Sequence, residues 1–197
     1  VKEKMSMIDI TKIVFPEDDS SGLQQKLFKI VDKYFENLST HDLEEIYELQ
    51  KNKNIKKYFA DTLEKRYSTE LEIDNSEVFG RLKEYISIVN MFDNGSLTIT
   101  NENQKEHFTI KKRVLTQFLA KQNFKKIVKM YDVLIDDGSS YPHVYIPLFA
   151  PLIIEKVTEQ ESLETIKTAC YPYNNHAKQL ITEKIEEKLD IKFNFEE

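Results

Sequence analysis

Between Leu43 and Tyr67 the apolar residues keep a helical spacing: Leu43, Ile46 and Leu49, then Ile55, Phe59, Leu63 and Tyr67. Such a spacing lines up one face of an α-helix and would scatter over both faces of a strand. The same rhythm returns along most of the chain. Sandwiches and barrels need a turn every few residues, yet only 4 Gly and 5 Pro occur among 197 residues. The fold class predicted is all-α, with eight or nine antiparallel helices.

Residues 1–20 read as an N-terminal arm that ends in the turn signal "FPEDDSSG". A first amphipathic helix carries Leu23, Leu27, Ile30, Val31, Tyr34, Phe35 and Leu38. The next start is well marked. Ser39 is the cap, Asp42 lies three residues on, and Leu38 and Leu43 occupy the two positions of a hydrophobic staple. That helix is expected to run to Gln50, with "KNKN" as a turn before the helix of Ile55 to Tyr67. Asp74, Glu77, Ile73 and Val78 repeat the start logic for a helix with Leu82, Tyr85, Ile86, Val89 and Phe92 on its buried stripe. Gly80 would cost the interior of that helix roughly 1 kcal/mol against Ala. Gly95 suits a left-handed cap at its end.

Residues 97–110 break the rhythm. "SLTIT" and "HFTI" alternate apolar with polar residues around "NENQKE", which reads either as a small β-hairpin or as a loop. Two helices follow, one with Ile110, Val114, Leu115, Phe118 and Leu119, the other beginning near Asn123. After the loop "DDGSSYP", the apolar run "VYIPLFAPLII" is read as a buried helix starting near Pro147, with Pro151 four residues in. Two more helices are expected, over 159–170 and 175–189. The whole reads as one helical domain over 21–190, with 94–109 as a candidate internal boundary and 191–197 as a tail.

The helices around Leu43–Tyr67 find a counterpart near the C-terminus. Leu43 aligns with Leu163, Ile46 with Ile166 and Leu49 with Ala169. After an insertion of two residues, Ile55 aligns with Ala177, Phe59 with Ile181, Leu63 with Ile185 and Tyr67 with Leu189. Stacked helix pairs of this kind resemble α-helical repeat proteins of the HEAT type. The middle helices show no fixed period, so a paired-helix stack and an irregular bundle both remain open.

The chemistry-bearing residues are sparse. "ACYPYNNHAKQ" holds the only cysteine, Cys170, and His176 six residues later. Cys170 falls at a helix C-terminus, the wrong dipole end to stabilise a thiolate, and His176 in the first turn of the next helix. The pair is therefore read as part of a turn, with Tyr171 and Tyr173 presenting a contact surface. His41 with Asp42 and Glu45, and His143 with Asp136 and Asp137, are partial ligand sets without a recognised metal-ligand spacing. No phosphate-binding loop, dinucleotide fingerprint or nucleophile elbow occurs. No catalytic residue, metal or cofactor is assigned.

Charge is more informative. Lys105, Lys111, Lys112, Arg113, Lys121, Lys125, Lys126 and Lys129 share a segment with one acid, Glu106, so 105–129 is near +7 and the rest near −13. Helical spacing puts these bases opposite the apolar stripe, on an exposed face. Such a face meets an acidic protein surface or phosphates. The expected function is a non-catalytic protein-interaction module, an adaptor or inhibitor, with Lys111, Lys112, Arg113, Lys121, Lys125, Lys126, Lys129, Tyr171 and Tyr173 at the partner surface. Nucleic-acid association through the same basic face is the alternative, and an enzyme of unrecognised type the second. "VKEKMSMIDITKIV" lacks the apolar core of a secretory leader, and eleven apolar residues interrupted by two prolines do not span a bilayer. A lone cysteine suits a reducing compartment, so no membrane association and a cytoplasmic location are expected.

Overall fold

The structure, a computed structural model, describes residues 36–51, 53–73, 79–136, 142–170 and 176–193. Among them are eight helices and no strand: α1 (Thr40–Leu49), α2 (Lys53–Ile73), α3 (Gly80–Asp93), α4 (Glu102–Lys121), α5 (Phe124–Asp136), α6 (Pro142–Lys156), α7 (Leu163–Cys170) and α8 (His176–Leu189). The chain is all-α, as the spacing of its apolar residues requires. The predicted arm, the stripe from Leu23 to Phe35, the cap at Asp74 and residues 194–197 of the tail lie outside the described residues.

The expected Ser39 cap of α1 is realised as a capping box with Asp42. The Asp42 amide donates to Ser39 Oγ and the Ser39 amide donates to Asp42 Oδ2, both at 3.1 Å. The Ser39 hydroxyl also donates to Asp42 Oδ2 at 2.6 Å, and the hydroxyl and amide of Ser39 together hold the Asp42 carboxyl below its ordinary pKa. The other end of α1 is closed from a distance: the Asn103 side-chain amide of α4 donates to the carbonyls of Glu48 at 2.9 Å and Gln50 at 2.8 Å. It thereby satisfies acceptors that a helix end leaves without partners.

The hairpin read over 97–110 is not formed. Residues 102–110 are the first turns of α4. Phe108 and Ile110 alternate as a strand would, but they also fall into helical register with Val114 and Leu115, and all four are buried. The longer period prevails because it continues to Leu119. Asn101 starts the helix, its Oδ1 accepting from the Gln104 amide at 2.8 Å.

The helix predicted to start at Asp74 begins instead at Gly80, so Gly80 opens α3 rather than weakening its interior. Phe79, buried, precedes it in the left-handed region at φ 45°. Gly95 has the expected positive φ, 72°, with nothing within 4 Å of where a Cβ would stand.

The run with two prolines is helical from Pro142, five residues earlier than expected, and encloses Pro147 and Pro151. A proline inside a helix removes the bond to the carbonyl four residues back. Here both prolines are exposed while Tyr145, Phe149 and Ile153 are buried. The two lost hydrogen bonds therefore fall on the solvent side, where water reaches the freed carbonyls.

The chain divides into two compact units. One takes in the residues up to Glu70 and Gly95–Val114; the other takes in Leu71–Asn94 and the residues from Leu115 onward. In the first unit the buried stripe of α2 is Ile55, Phe59, Leu63 and Tyr67. In the second, α6 packs against α3, α5 and α8, while α7 packs against α5 and α8. A helix apolar on nearly every side belongs at such a centre. Lys188 of α8 closes the end of α6 by donating to the carbonyls of Ile154 and Glu155, each at 2.7 Å.

The aligned repeat positions are only partly equivalent. Ile46 and Ile166, Phe59 and Ile181, and Leu63 and Ile185 are buried in both members. Leu49 is 53% exposed where Ala169 is 0%. The side chains of Leu163 and Ala177 lie outside the described residues.

Candidate functional site

The basic segment does not form one exposed face. Lys111 is buried, 4% exposed, contrary to the sequence reading. It stands four residues after His107 and three before Val114, on the inward side of α4. Counting apolar residues alone leaves a charged member of that face invisible. Its Nζ lies 2.8 Å from Glu44 Oε1 and 4.9 Å from the centre of the Tyr67 ring. Arg113 is engaged with Glu64 at 2.6 Å. Lys112 is exposed.

In the second unit the lysines behave as expected. Lys121, Lys125, Lys126 and Lys129 are exposed, on the last turn of α4 and along α5. Asn123 sets the register of α5, its Oδ1 accepting from the Lys126 amide at 2.9 Å. Lys126 Nζ stands 5.8 Å from the centre of the Phe118 ring, so Phe118 lies beneath a cation. None of the four has a carboxylate partner among the described residues. Tyr171 and Tyr173 lie outside the described residues.

The polar cluster around Lys111 is the site that sequence reasoning missed. α1 contributes Glu44 and Glu48, one turn apart; α2 contributes Tyr67; α4 contributes His107 and Lys111, again one turn apart. The Tyr67 hydroxyl donates to Glu44 Oε1 at 2.7 Å. His107 Nδ1 approaches Glu48 Oε1 to 2.9 Å, with side chains 3% and 21% exposed. That approach is out of line with the ring N–H, and among the described residues neither ring nitrogen has an aligned hydrogen-bond partner. Burial pushes the His107 pKa down to about 4, Glu44 opposing and Lys111 assisting. Burial, with Glu44 and Glu45 beside it, raises the Glu48 carboxyl above its ordinary pKa, His41 opposing. A second group lies on the other side of α1: the Tyr47 hydroxyl donates to Glu106 Oε2 at 2.9 Å, and Lys56 pairs with the same carboxylate. The Lys56 ammonium holds Glu106 below its usual pKa.

One signal for this cluster was present in the sequence. Two i,i+4 polar pairs, Glu44–Glu48 and His107–Lys111, have the spacing that puts both members on one face of a helix, and Lys111 falls in register with Val114 and Leu115. A carboxylate pair on one helix and a basic pair on another are natural partners in a fold this small.

The remaining candidates are quiet. Cys170 is buried at the end of α7, and its carbonyl accepts from Thr182 Oγ1 at 3.2 Å. α8 begins at His176, whose side chain lies outside the described residues. His41 pairs with Glu45 at 3.7 Å on the surface, and Asp42 is spent on the cap of α1. Asp136, Asp137 and His143 are not described at side-chain level. Among the described residues no group of three ligating side chains is placed to hold a metal ion, and no helix is long and apolar enough to cross a membrane.

No known protein family, curated protein or solved structure matches this chain.

Proposed function

We propose that this chain is a non-catalytic interaction module, an adaptor or inhibitor, that binds an acidic protein surface through the lysine face of its second unit. The observation that carries the reading is the state of Lys121, Lys125, Lys126 and Lys129. All four are exposed, and none is neutralised by a described carboxylate, although Asp and Glu outnumber Lys and Arg by 34 to 28 in the chain. Lys111 and Arg113, in the other unit, are already matched to Glu44 and Glu64. Lys125 and Lys129 stand one turn apart on α5, an arrangement that costs a helix a few tenths of a kcal/mol when nothing neutralises it. An acidic partner removes that cost and gains the steering that complementary potentials provide. The packing of α5 with α6 and of α7 with α8 supports a paired-helix arrangement behind this face.

The test is charge reversal at Lys121, Lys125 and Lys129 together. Affinity capture from the native cell should lose one specific acidic partner while the melting temperature stays unchanged. A partner list unaffected by the triple substitution overturns the reading. Nucleic acid is the other occupant a lysine face accepts. A gel shift on RNA or DNA at low salt, abolished by the same substitutions and falling steeply with added salt, would transfer the site to that class.

A further inference from the structure

The charges around Glu48 do not balance. Glu44 is satisfied twice, by the Lys111 ammonium at 2.8 Å and the Tyr67 hydroxyl at 2.7 Å. Among the described residues the carboxylate of Glu48, one turn along α1, has no such ammonium; the basic group paired with it is the imidazole of His107 at 2.9 Å. With that imidazole neutral, two carboxylates and one ammonium leave one excess negative charge in a site partly withdrawn from water. Like charges one turn apart on a helix repel, and burial sharpens the repulsion. One proton restores balance.

That proton has two places to go. On His107 it makes an ion pair; on Glu48 it makes a neutral pair. His107 is the more deeply buried of the two, faces the Lys111 cation one turn further along its own helix, and has its ring tilted at 56° to the neighbouring Phe108 ring with centroids 4.1 Å apart. Among the described residues its ring nitrogens find no aligned hydrogen bond that would offset a buried imidazolium. Glu48 faces solvent on one side and Glu44 and Glu45 on the other. Across α1, Lys56 and the Tyr47 hydroxyl are both committed to Glu106.

We propose that Glu48 and His107 are a proton-holding pair, in which the one bound proton resides on the Glu48 carboxyl and the imidazole stays neutral through mildly acidic pH. The α1–α4 contact of the first unit then crosses the range in which a free histidine ionises without burying a cation. The lowered affinity of His107 for a proton, 6.5 falling to about 4, amounts to roughly 300-fold.

The experiment is an NMR titration of the full chain from pH 8 to 4, following the His107 imidazole and the Glu48 side-chain carboxyl, and repeated on Glu48→Gln. The carboxamide of Gln imitates the protonated acid. The proposal expects a His107 ring that remains neutral to near pH 4 in both proteins and a Glu48 carboxyl that titrates above free glutamate. It also expects Glu48→Gln to be at least as resistant to urea as the parent chain at pH 8. An imidazolium signal for His107 at pH 5–6 overturns the proposal, as does a Glu48 carboxyl that titrates like free glutamate. Loss of stability in Glu48→Gln at pH 8 would mean that the ionised carboxylate is the working form, and overturns it as well.

Discussion

The Lys111 ammonium and the Glu44 carboxylate meet at 2.8 Å with their side chains only 5% and 17% exposed. This ion pair joins α4 to α1 inside the first unit, where apolar spacing alone would call for hydrocarbon. Its worth lies in what happens when one member is removed. Neutralising a single partner strands the other charge away from water, whereas replacing both costs little.

Lys111→Met should therefore destabilise the protein by about 3 kcal/mol in urea unfolding. Adding Glu44→Gln to that variant should recover most of the loss, because no charge is then stranded. Lys125→Met, on the exposed side of α5, should move stability by less than about 0.5 kcal/mol. Equal effects for Lys111→Met and Lys125→Met would contradict the burial that separates them.

Asn103→Ala should cost about 1–2 kcal/mol. Its side-chain amide serves the carbonyls of Glu48 and Gln50 at the end of α1, and no other described side chain takes its place. Lys105→Ala, at an exposed position two residues further along α4, is the control. Chemical denaturation of both variants checks the difference.

Tyr131→Phe should leave stability unchanged or raise it by up to about 1 kcal/mol. The Tyr131 hydroxyl is buried without a hydrogen-bond partner among the described residues, and its ring packs 5.9 Å from that of Phe149. Burial pushes its pKa up to about 12. Removing an unsatisfied hydroxyl removes a desolvation cost and keeps the ring. A loss above 1 kcal/mol would mean that the hydroxyl has a partner.

The all-helical fold was legible because apolar spacing and capping residues act locally. Ser39 and Asp42 close their capping box with no help from distant chain, and Phe59, Leu63 and Tyr67 are buried as their spacing requires. Local signals failed where two periods coincided. Phe108 and Ile110 suit a strand and a helix equally, and only their continuation to Val114 and Leu115 decides. Pro147 and Pro151 misled for a related reason. A proline rule judges one residue, while tolerance depends on both rings facing solvent. The buried cluster was least legible of all. Glu44, His107 and Lys111 are ordinary surface residues by type, and only tertiary packing brings them out of water. The lysine face of α5 was legible because amphipathic spacing suffices to expose it, whereas Lys111 shows where the same inference breaks.

The opposed protonation of Glu48 and His107 gives a pH signature that single substitutions separate. The depressed pKa of His107 contributes stability that is present above 6.5 and is lost as pH falls toward about 4. The raised pKa of Glu48 acts in the other sense: its contribution is full below the ordinary carboxylate pKa and is lost as pH rises through the folded value. In the parent chain the two contributions oppose one another as pH falls. Glu48→Gln leaves the His107 contribution alone, so its unfolding free energy should fall by roughly 2–3 kcal/mol as pH drops from 6.5 to 4, relative to a variant that lacks both groups. His107→Gln leaves the Glu48 contribution alone, and its stability against the same reference should rise as pH falls. Urea unfolding of the three variants at half-unit pH steps reads both slopes. If the slopes share one sign, then Glu48 and His107 do not hold opposite preferences for the proton.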